Sequence, residues 1–130
     1  MRGGKRYVFV DTAGIRRPGH AQPDCFMLAG RYTLLEQAGA RHLLSKCLQR
    51  NVSIIVAGAY NSGILARGAK AGAMYEYGPA PDDVLARVAK LEEICAEFKV
   101  PLSTAALQFP LRHPAVSSIV VGGRTREQVE

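Results

Sequence analysis

The chain reads as an α/β fold of parallel βα units, and three observations predict it. From residue 24 onward, β-type apolar runs alternate with stretches of helical periodicity. One run, residues 52–57, is β-branched and apolar without alternation, the pattern of a strand buried on both faces of a parallel sheet. The third is size. A length of 130 residues allows one modest core but falls short of the ~250 residues of a complete (β/α)8 barrel.

The elements follow in order. Residues 7–10 (YVFV) form a short β-type run, ended by Asp11-Thr12-Ala13-Gly14, and residues 16–20 read as loop. Residues 25–29 are a second strand, stopped by Gly30. Residues 40–50 place Leu43, Leu44, Cys47 and Leu48 at helical spacing, with Asn51 as the stop. After the strand at 52–57, residues 58–72 are rich in Gly and Ala and read as a loop with a helical turn. Asp82 is expected to cap the next helix, with Asp83 in its first turn. Its apolar stripe is Val84, Leu85, Val88, Leu91, Ile94, Cys95 and Phe98. Pro101 stops it. Ser103 is expected to cap a further helix, which Pro110 kinks or ends because proline lacks an amide hydrogen. Residues 118–121 are the last strand, leading through Gly122 and Gly123 into a helix opened by Thr125.

Composition excludes several classes. Nearly half the residues are apolar, which is globular rather than disordered. No apolar run approaches the ~20 residues that span a bilayer, and no apolar h-region follows the basic start, so neither a membrane span nor a signal peptide is expected. Cys25, Cys47 and Cys95 are odd in number, form no CxxC pair and lie among apolar residues. That reads as reduced, packed cysteine in a cytoplasmic protein. His20, His42 and His113 show no ligand spacing, so no metal site is expected. The net charge of +6 is concentrated at the start. Residues 1–20 hold five basic side chains against Asp11 alone, whereas residues 21–130 hold twelve basic and ten acidic. The body is nearly balanced and no nucleic-acid partner is expected for it.

Ligands of α/β folds gather at the carboxyl ends of parallel strands. Three segments follow such ends: residues 30–37 (GRYTLLEQ), 58–65 (GAYNSGIL) and 122–128 (GGRTREQ). The last has two glycines that let backbone approach a ligand, a following helix N-terminus, and the fixed charge of Arg124. Those are the parts of a phosphate site, and equally of an ordinary strand-to-helix turn with a surface arginine.

Residues 24–37 (DCFMLAGRYTLLEQ), 60–65 (YNSGIL), 105–116 (AALQFPLRHPAV) and 120–129 (VVGGRTREQV) together resemble the aldo-keto reductase family, in its aldose-dehydrogenase branch that includes L-fucose and D-threo-aldose dehydrogenases. The resemblance covers residues 22–130 in the family's order. It implies a partial (β/α)8 TIM barrel made of the C-terminal βα units, and an NAD(P)-dependent oxidoreductase of aldoses or small aldehydes. It further implies that Tyr60, Asn61, Ser62, Gly63 and Leu65 cover the nicotinamide and pyrophosphate of NADP or NAD. By the same match Gly122, Gly123, Arg124, Thr125 and Gln128 hold the adenosine phosphate end. The aromatic side chain that many members set against the nicotinamide falls here on Ala57 or Gly58, a departure from the pattern. The family's catalytic Asp, Tyr, Lys and His have no matching motif in this chain, so no catalytic residue is assigned.

Residues 6–17 (RYVFVDTAGIRR) resemble instead the strand and DxxG segment of ribosome-assembly GTPases. The chain has neither GxxxxGK[ST] nor NKxD, so no GTP site is implied. The resulting expectation is a prefix, residues 1–20, joined to a truncated reductase portion, residues 21–130, inactive alone. Its exposed strand edges imply self-association or pairing with a complementing half-barrel. The alternative is a non-enzymatic fusion fragment or interaction module.

Overall fold

A computed structural model of the chain describes residues 24–123 and the backbone of strand β1, Tyr7–Val10. The expected junction between residues 17 and 24 and the helix opened by Thr125 lie outside the described residues. Four strands form one parallel sheet in the order β1, β2 (Cys25–Ala29), β3 (Ser53–Ala57) and β6 (Val116–Val120). The sheet is thus the run of parallel βα units the sequence predicts, with β1 added beside β2 in continuous register from Tyr7↔Cys25 to Val10↔Leu28.

Helix α1 (Arg41–Gln49) connects β2 to β3 and lays Leu44 and Cys47 on the sheet. It ends where Asn51 takes a left-handed φ of 52°. The Val52 amide then donates to the Cys47 carbonyl (2.8 Å) and the Asn51 amide to that of Leu48 (3.2 Å). These two bonds are a Schellman ending, and Asn tolerates the left-handed position it requires. Helix α3 (Asp82–Glu97) ends the same way, with Lys99 left-handed and Val100 bonded back to Cys95 (2.9 Å).

Several details differ from expectation. The N-caps of α3 and of α4 (Leu102–Leu111) are Pro81 and Pro101, in extended conformation without side-chain bonds. Asp82, Asp83 and Ser103 therefore fall in first turns, where the two acids still favour the helix N-terminus electrostatically. Pro110 is buried one residue before the end of α4, so the helix forgoes the amide that would have met the Ala106 carbonyl and ends one residue later, as expected of proline. Strand β6 begins at Val116, two residues earlier than expected, through a bulge at Ser117 whose hydroxyl donates to the Ile54 carbonyl (3.3 Å). Between β3 and α3 lie the single-turn helix α2 (Ile64–Arg67), which is the helical turn expected within residues 58–72, and a hairpin of β4 (Met74–Tyr75) and β5 (Gly78–Pro79), which the sequence reading did not contain.

The largest difference is in β3. Ile54 and Val56 have no exposed surface, but Ser53, Ile55 and Ala57, which alternate with them, are only half-buried. The buried row continues across the sheet as Leu28, Ile54, Val56 and Val116 and packs beneath α1. By strand alternation Met27, Ile55, Ala57 and Val120 point to the other face, which no described helix covers. A second core beyond the sheet joins Leu35, Ile64, Leu65, Val84, Val88 and Ala106. Only the first half of the α3 stripe enters it. Ile94 and Phe98, 52% and 70% exposed, run on into solvent.

Candidate functional site

The carboxyl ends of β2, β3 and β6 lie side by side, because Ala29 pairs with Ala57 and Ala57 with Val120. The loops after them share one rim of the sheet. Where β2 ends, the Gly30 amide donates to the Ala57 carbonyl (2.9 Å). Gly58 turns with a φ of 64°, and a Cβ there would sit 3.4 Å from the Gly30 amide nitrogen. A side chain at Gly58 would be strained by this left-handed φ, so an aromatic residue there would be disfavoured.

Residues 61–63 make an unusual turn. Asn61, Ser62 and Gly63 are all left-handed, with φ of 46°, 61° and 94°. Two of them are not glycine, and such conformations persist only where surrounding contacts enforce them. Here the Asn61 amide donates to the Gly58 carbonyl (3.0 Å), and the Gly63 and Leu65 amides to the Tyr60 carbonyl (3.0 and 3.1 Å). The Ser62 hydroxyl accepts from the Tyr77 amide (3.2 Å), which ties the hairpin to the turn. A Cβ on Gly63 would come within 2.9 Å of the Arg67 guanidinium. The Asn61 side chain is 7% exposed and its Nδ2 donates weakly to the Gly30 carbonyl (3.5 Å). Its Oδ1 has no hydrogen-bond partner. A buried acceptor left unmet costs ~1–3 kcal/mol, and the turn holds this oxygen at the rim without a partner.

The structure thus brings Tyr60, Asn61, Ser62 and Gly63 together at the rim. Tyr60 is half-buried against the second core. Leu65 is fully buried and its amide is engaged, so it anchors the turn rather than presenting a surface. Gly122 and Gly123 are exposed directly after β6. Arg124, Thr125 and Gln128 lie outside the described residues.

Beside this rim the loop after β2 is fixed by a polar network that sequence spacing did not reveal. Thr33, with no exposed surface, accepts at Oγ1 from the Leu35 (3.2 Å) and Glu36 (2.9 Å) amides. Glu36 accepts from the Tyr75 hydroxyl (3.0 Å) and from Arg87 of α3 (3.3 Å), and Arg87 also donates to the Leu35 carbonyl. Arg31 pairs with Glu76 of the hairpin turn at 2.6 Å. Tyr32 packs against Phe109 and His113, with ring centroids 5.4 and 5.9 Å away. Apart from the local bonds of Thr33, these partners are 39 to 81 residues apart along the chain, beyond the reach of local pattern. An open cleft of about 430 Å³ lies between Glu36, Gln37, Arg87 and Lys90.

The hydroxyl of Tyr75 is perturbed. Burial, then its bond to Glu36 and the nearby Glu36 and Glu76 charges, push its pKa above the ordinary 10.0, against a smaller pull from Arg31. A tyrosine that moves protons near neutral pH needs the opposite shift, so Tyr75 is structural. Burial likewise raises the Cys25 and Cys47 thiols. Neither is an activated nucleophile. Among the described residues there is no cluster of three metal-ligating side chains, and no helix is long and apolar enough to cross a membrane.

Comparison with known proteins agrees with this architecture. The chain is 46% identical over 109 residues to a pyridoxal 4-dehydrogenase of Microbacterium luteolum, covering 84% of the chain and 32% of that enzyme. It is 42% identical over 121 residues to a D-threo-aldose 1-dehydrogenase of a Pseudomonas species, covering 92% of the chain and 37% of the enzyme. The chain therefore spans about a third of the length of these curated relatives. The sequence model of the aldo/keto reductase family matches residues 11–130. With its parallel sheet as part of a (β/α)8 barrel, the chain belongs to the aldo/keto reductase family of oxidoreductases.

Proposed function

We propose that this chain forms the nicotinamide-dinucleotide wall of an aldo/keto reductase acting on aldoses or related small aldehydes, and that alone it binds NADP or NAD without turning over substrate. In this reading residues 21–130 are the reductase portion and residues 1–20 a prefix that lends β1 to its sheet, with the family match itself beginning inside that prefix, at residue 11. The observation that supports it most is the turn at residues 61–63, where left-handed backbone at a strand end surrounds the unmet oxygen of Asn61. Asn61 would accept a hydrogen bond from the ligand, Ser62 and Gly63 would offer close backbone, and Gly122, Gly123 and Arg124 would meet the phosphates. The bound dinucleotide supplies or takes the hydride. The chain's own residues hold and orient it, and the family's catalytic tetrad has no matching motif among them. Three free cysteines, two of them buried, favour a reducing, cytoplasmic setting.

The test is titration with NADPH and NADH, read by nicotinamide fluorescence and by melting temperature together. Saturable binding by either is expected. It should weaken about tenfold in Asn61→Gly, which keeps the left-handed turn and removes the acceptor, as loss of one buried hydrogen bond predicts. Arg124→Ala should weaken it further. A cooperative melt with no response to either nucleotide would refute the reading and leave the interaction module, which the uncovered sheet face favours.

A further inference from the structure

Helix α3 carries two cations one turn apart, Arg87 and Lys90, on the side that meets residues 34–38. The open cleft of about 430 Å³ lies between them and that loop, and its volume is within the ~300–1,000 Å³ of small-molecule sites. Its lining is of two kinds. Leu34 and Leu91 form an apolar side that packs on the second core. Arg87, Lys90, Gln37 and Glu36 form a polar side, with two positive charges against one negative. The negative charge is already engaged, because Oε1 of Glu36 accepts from the Tyr75 hydroxyl (3.0 Å) and from Arg87 (3.3 Å). Arg87 is in turn held by two acceptors of the loop, Glu36 and the Leu35 carbonyl. Those two bonds leave three of the five N–H groups of a guanidinium unused. Lys90 is exposed and has no ion-pair partner among the described residues.

We infer that this cleft binds a small organic anion, one carboxylate on a short apolar body. Arg87 is the anchor. Glu36 and Leu35 already orient its planar fork, so binding has little left to order, and the fork matches a carboxylate. Lys90 supplies the second charge, and no existing ion pair must be broken to recruit it. Leu34 and Leu91 cover the apolar body and withdraw it from water. A simple inorganic anion would leave the apolar side unused, and a neutral apolar ligand would leave the two cations unmet. The cleft shares no lining residue with the turn at 61–63, so the inference does not rest on the cofactor reading. Arg87 also holds the loop after β2, so an anion bound to it adds a further tie to that loop.

The experiment is titration of the isotopically labelled full chain with 4-methylpentanoate, read by amide chemical shifts. Saturable shifts are expected at residues 34–38 and 87–91. Neutral 4-methylpentanamide should bind about tenfold more weakly, for want of the charge. Acetate should bind at least about tenfold more weakly, for want of the apolar body. Lys90→Ala should weaken binding about fivefold and Lys90→Glu more. Lys46→Ala, a cation of α1 outside the cleft, should change it less than about twofold. Lys90 is the residue substituted because Arg87 also anchors the loop, and circular dichroism confirms that each variant is folded. Equal affinity for acid and amide would overturn the inference, as would full affinity in Lys90→Ala or saturable shifts confined to other residues. So would the absence of saturation up to about 50 mM. Equilibrium dialysis of the same ligand gives the affinities independently of the spectrum. Nucleotide added to the same samples reports separately on the turn at residues 61–63, so either reading can fail alone.

Discussion

Replacing Thr33 by valine removes one oxygen and almost no volume, and the structure fixes what that oxygen does. It accepts two backbone amides, from Leu35 and Glu36, in a residue with no exposed surface. Leu35 is itself 5% exposed, so water cannot replace the lost acceptor there, whereas the half-buried Glu36 amide is partly rescued. An unmet buried donor costs ~1–3 kcal/mol. One full and one partial loss together come to about 2–4 kcal/mol, a large share of the ~5–15 kcal/mol that holds a domain together. For a chain of this size that lowers the melting temperature by about 10 °C. Thr33→Ser keeps the acceptor and loses a methyl, which costs about 1 kcal/mol. Urea unfolding followed by circular dichroism, at one fixed protein concentration, separates the two. Valine within ~0.5 kcal/mol of wild type, or serine worse than valine, would mean that packing and not the two bonds fixes the loop.

Further outcomes are expected elsewhere. Gly68→Ala should destabilise by at least ~2 kcal/mol in thermal melts, because φ there is 85° and the new methyl would collide with the Glu92 carboxylate that accepts from the Ala69 amide. In a double-mutant cycle its cost should be less than additive with that of Glu92→Ala, since the two share that contact. Stability should also fall in alkali. The thiols of Cys25 and Cys47 and the phenol of Tyr75 hold their protons more tightly folded than unfolded. The unfolded state then loses protons first, so stability is full below the ordinary thiol value of 9.0 and declines above it. Tyr75→Phe should flatten the part of the decline that begins above pH 10.0, and an unchanged slope would contradict the shift.

The parts of the fold that sequence predicted are those with local causes. Strands β2 and β3 announce themselves by unbroken apolar runs, α1 by the spacing of Leu44 and Cys47, and the end of α1 by Asn51. The hairpin after α2 had no such cause. Its turn needs left-handed backbone at both Glu76 and Tyr77, with φ of 46° and 66°, and neither residue favours it. The pairing of Glu76 with Arg31 and the bond from the Tyr77 amide to Ser62 impose it from outside. The half-exposure of Ile55 had a similar origin. Its side chain carries the pattern of a strand buried on both faces, and the described residues cover only one of them. At the candidate site, resemblance pointed to residues 60–63. Left-handed geometry at Asn61 and Ser62 and the unmet oxygen of Asn61 are tertiary facts. Thr33, Glu36, Tyr75 and Arg87 meet only once the chain has folded.

The two crossovers of the sheet differ in a way that sets the order of assembly. Residues 30–52 join β2 to β3, whereas residues 58–115 join β3 to β6. Contacts between distant residues must wait for a longer loop to close, and rates follow that separation more than stability does. The β2–α1–β3 unit should therefore gain protection from hydrogen exchange first. Strand β6 should dock afterwards, once α3 and α4 have shortened the effective gap. Until then β3 is itself an edge, apolar and β-branched. Aggregation during refolding should accordingly rise with chain concentration in that interval, and substitutions in α4 that slow β6 docking should lengthen it.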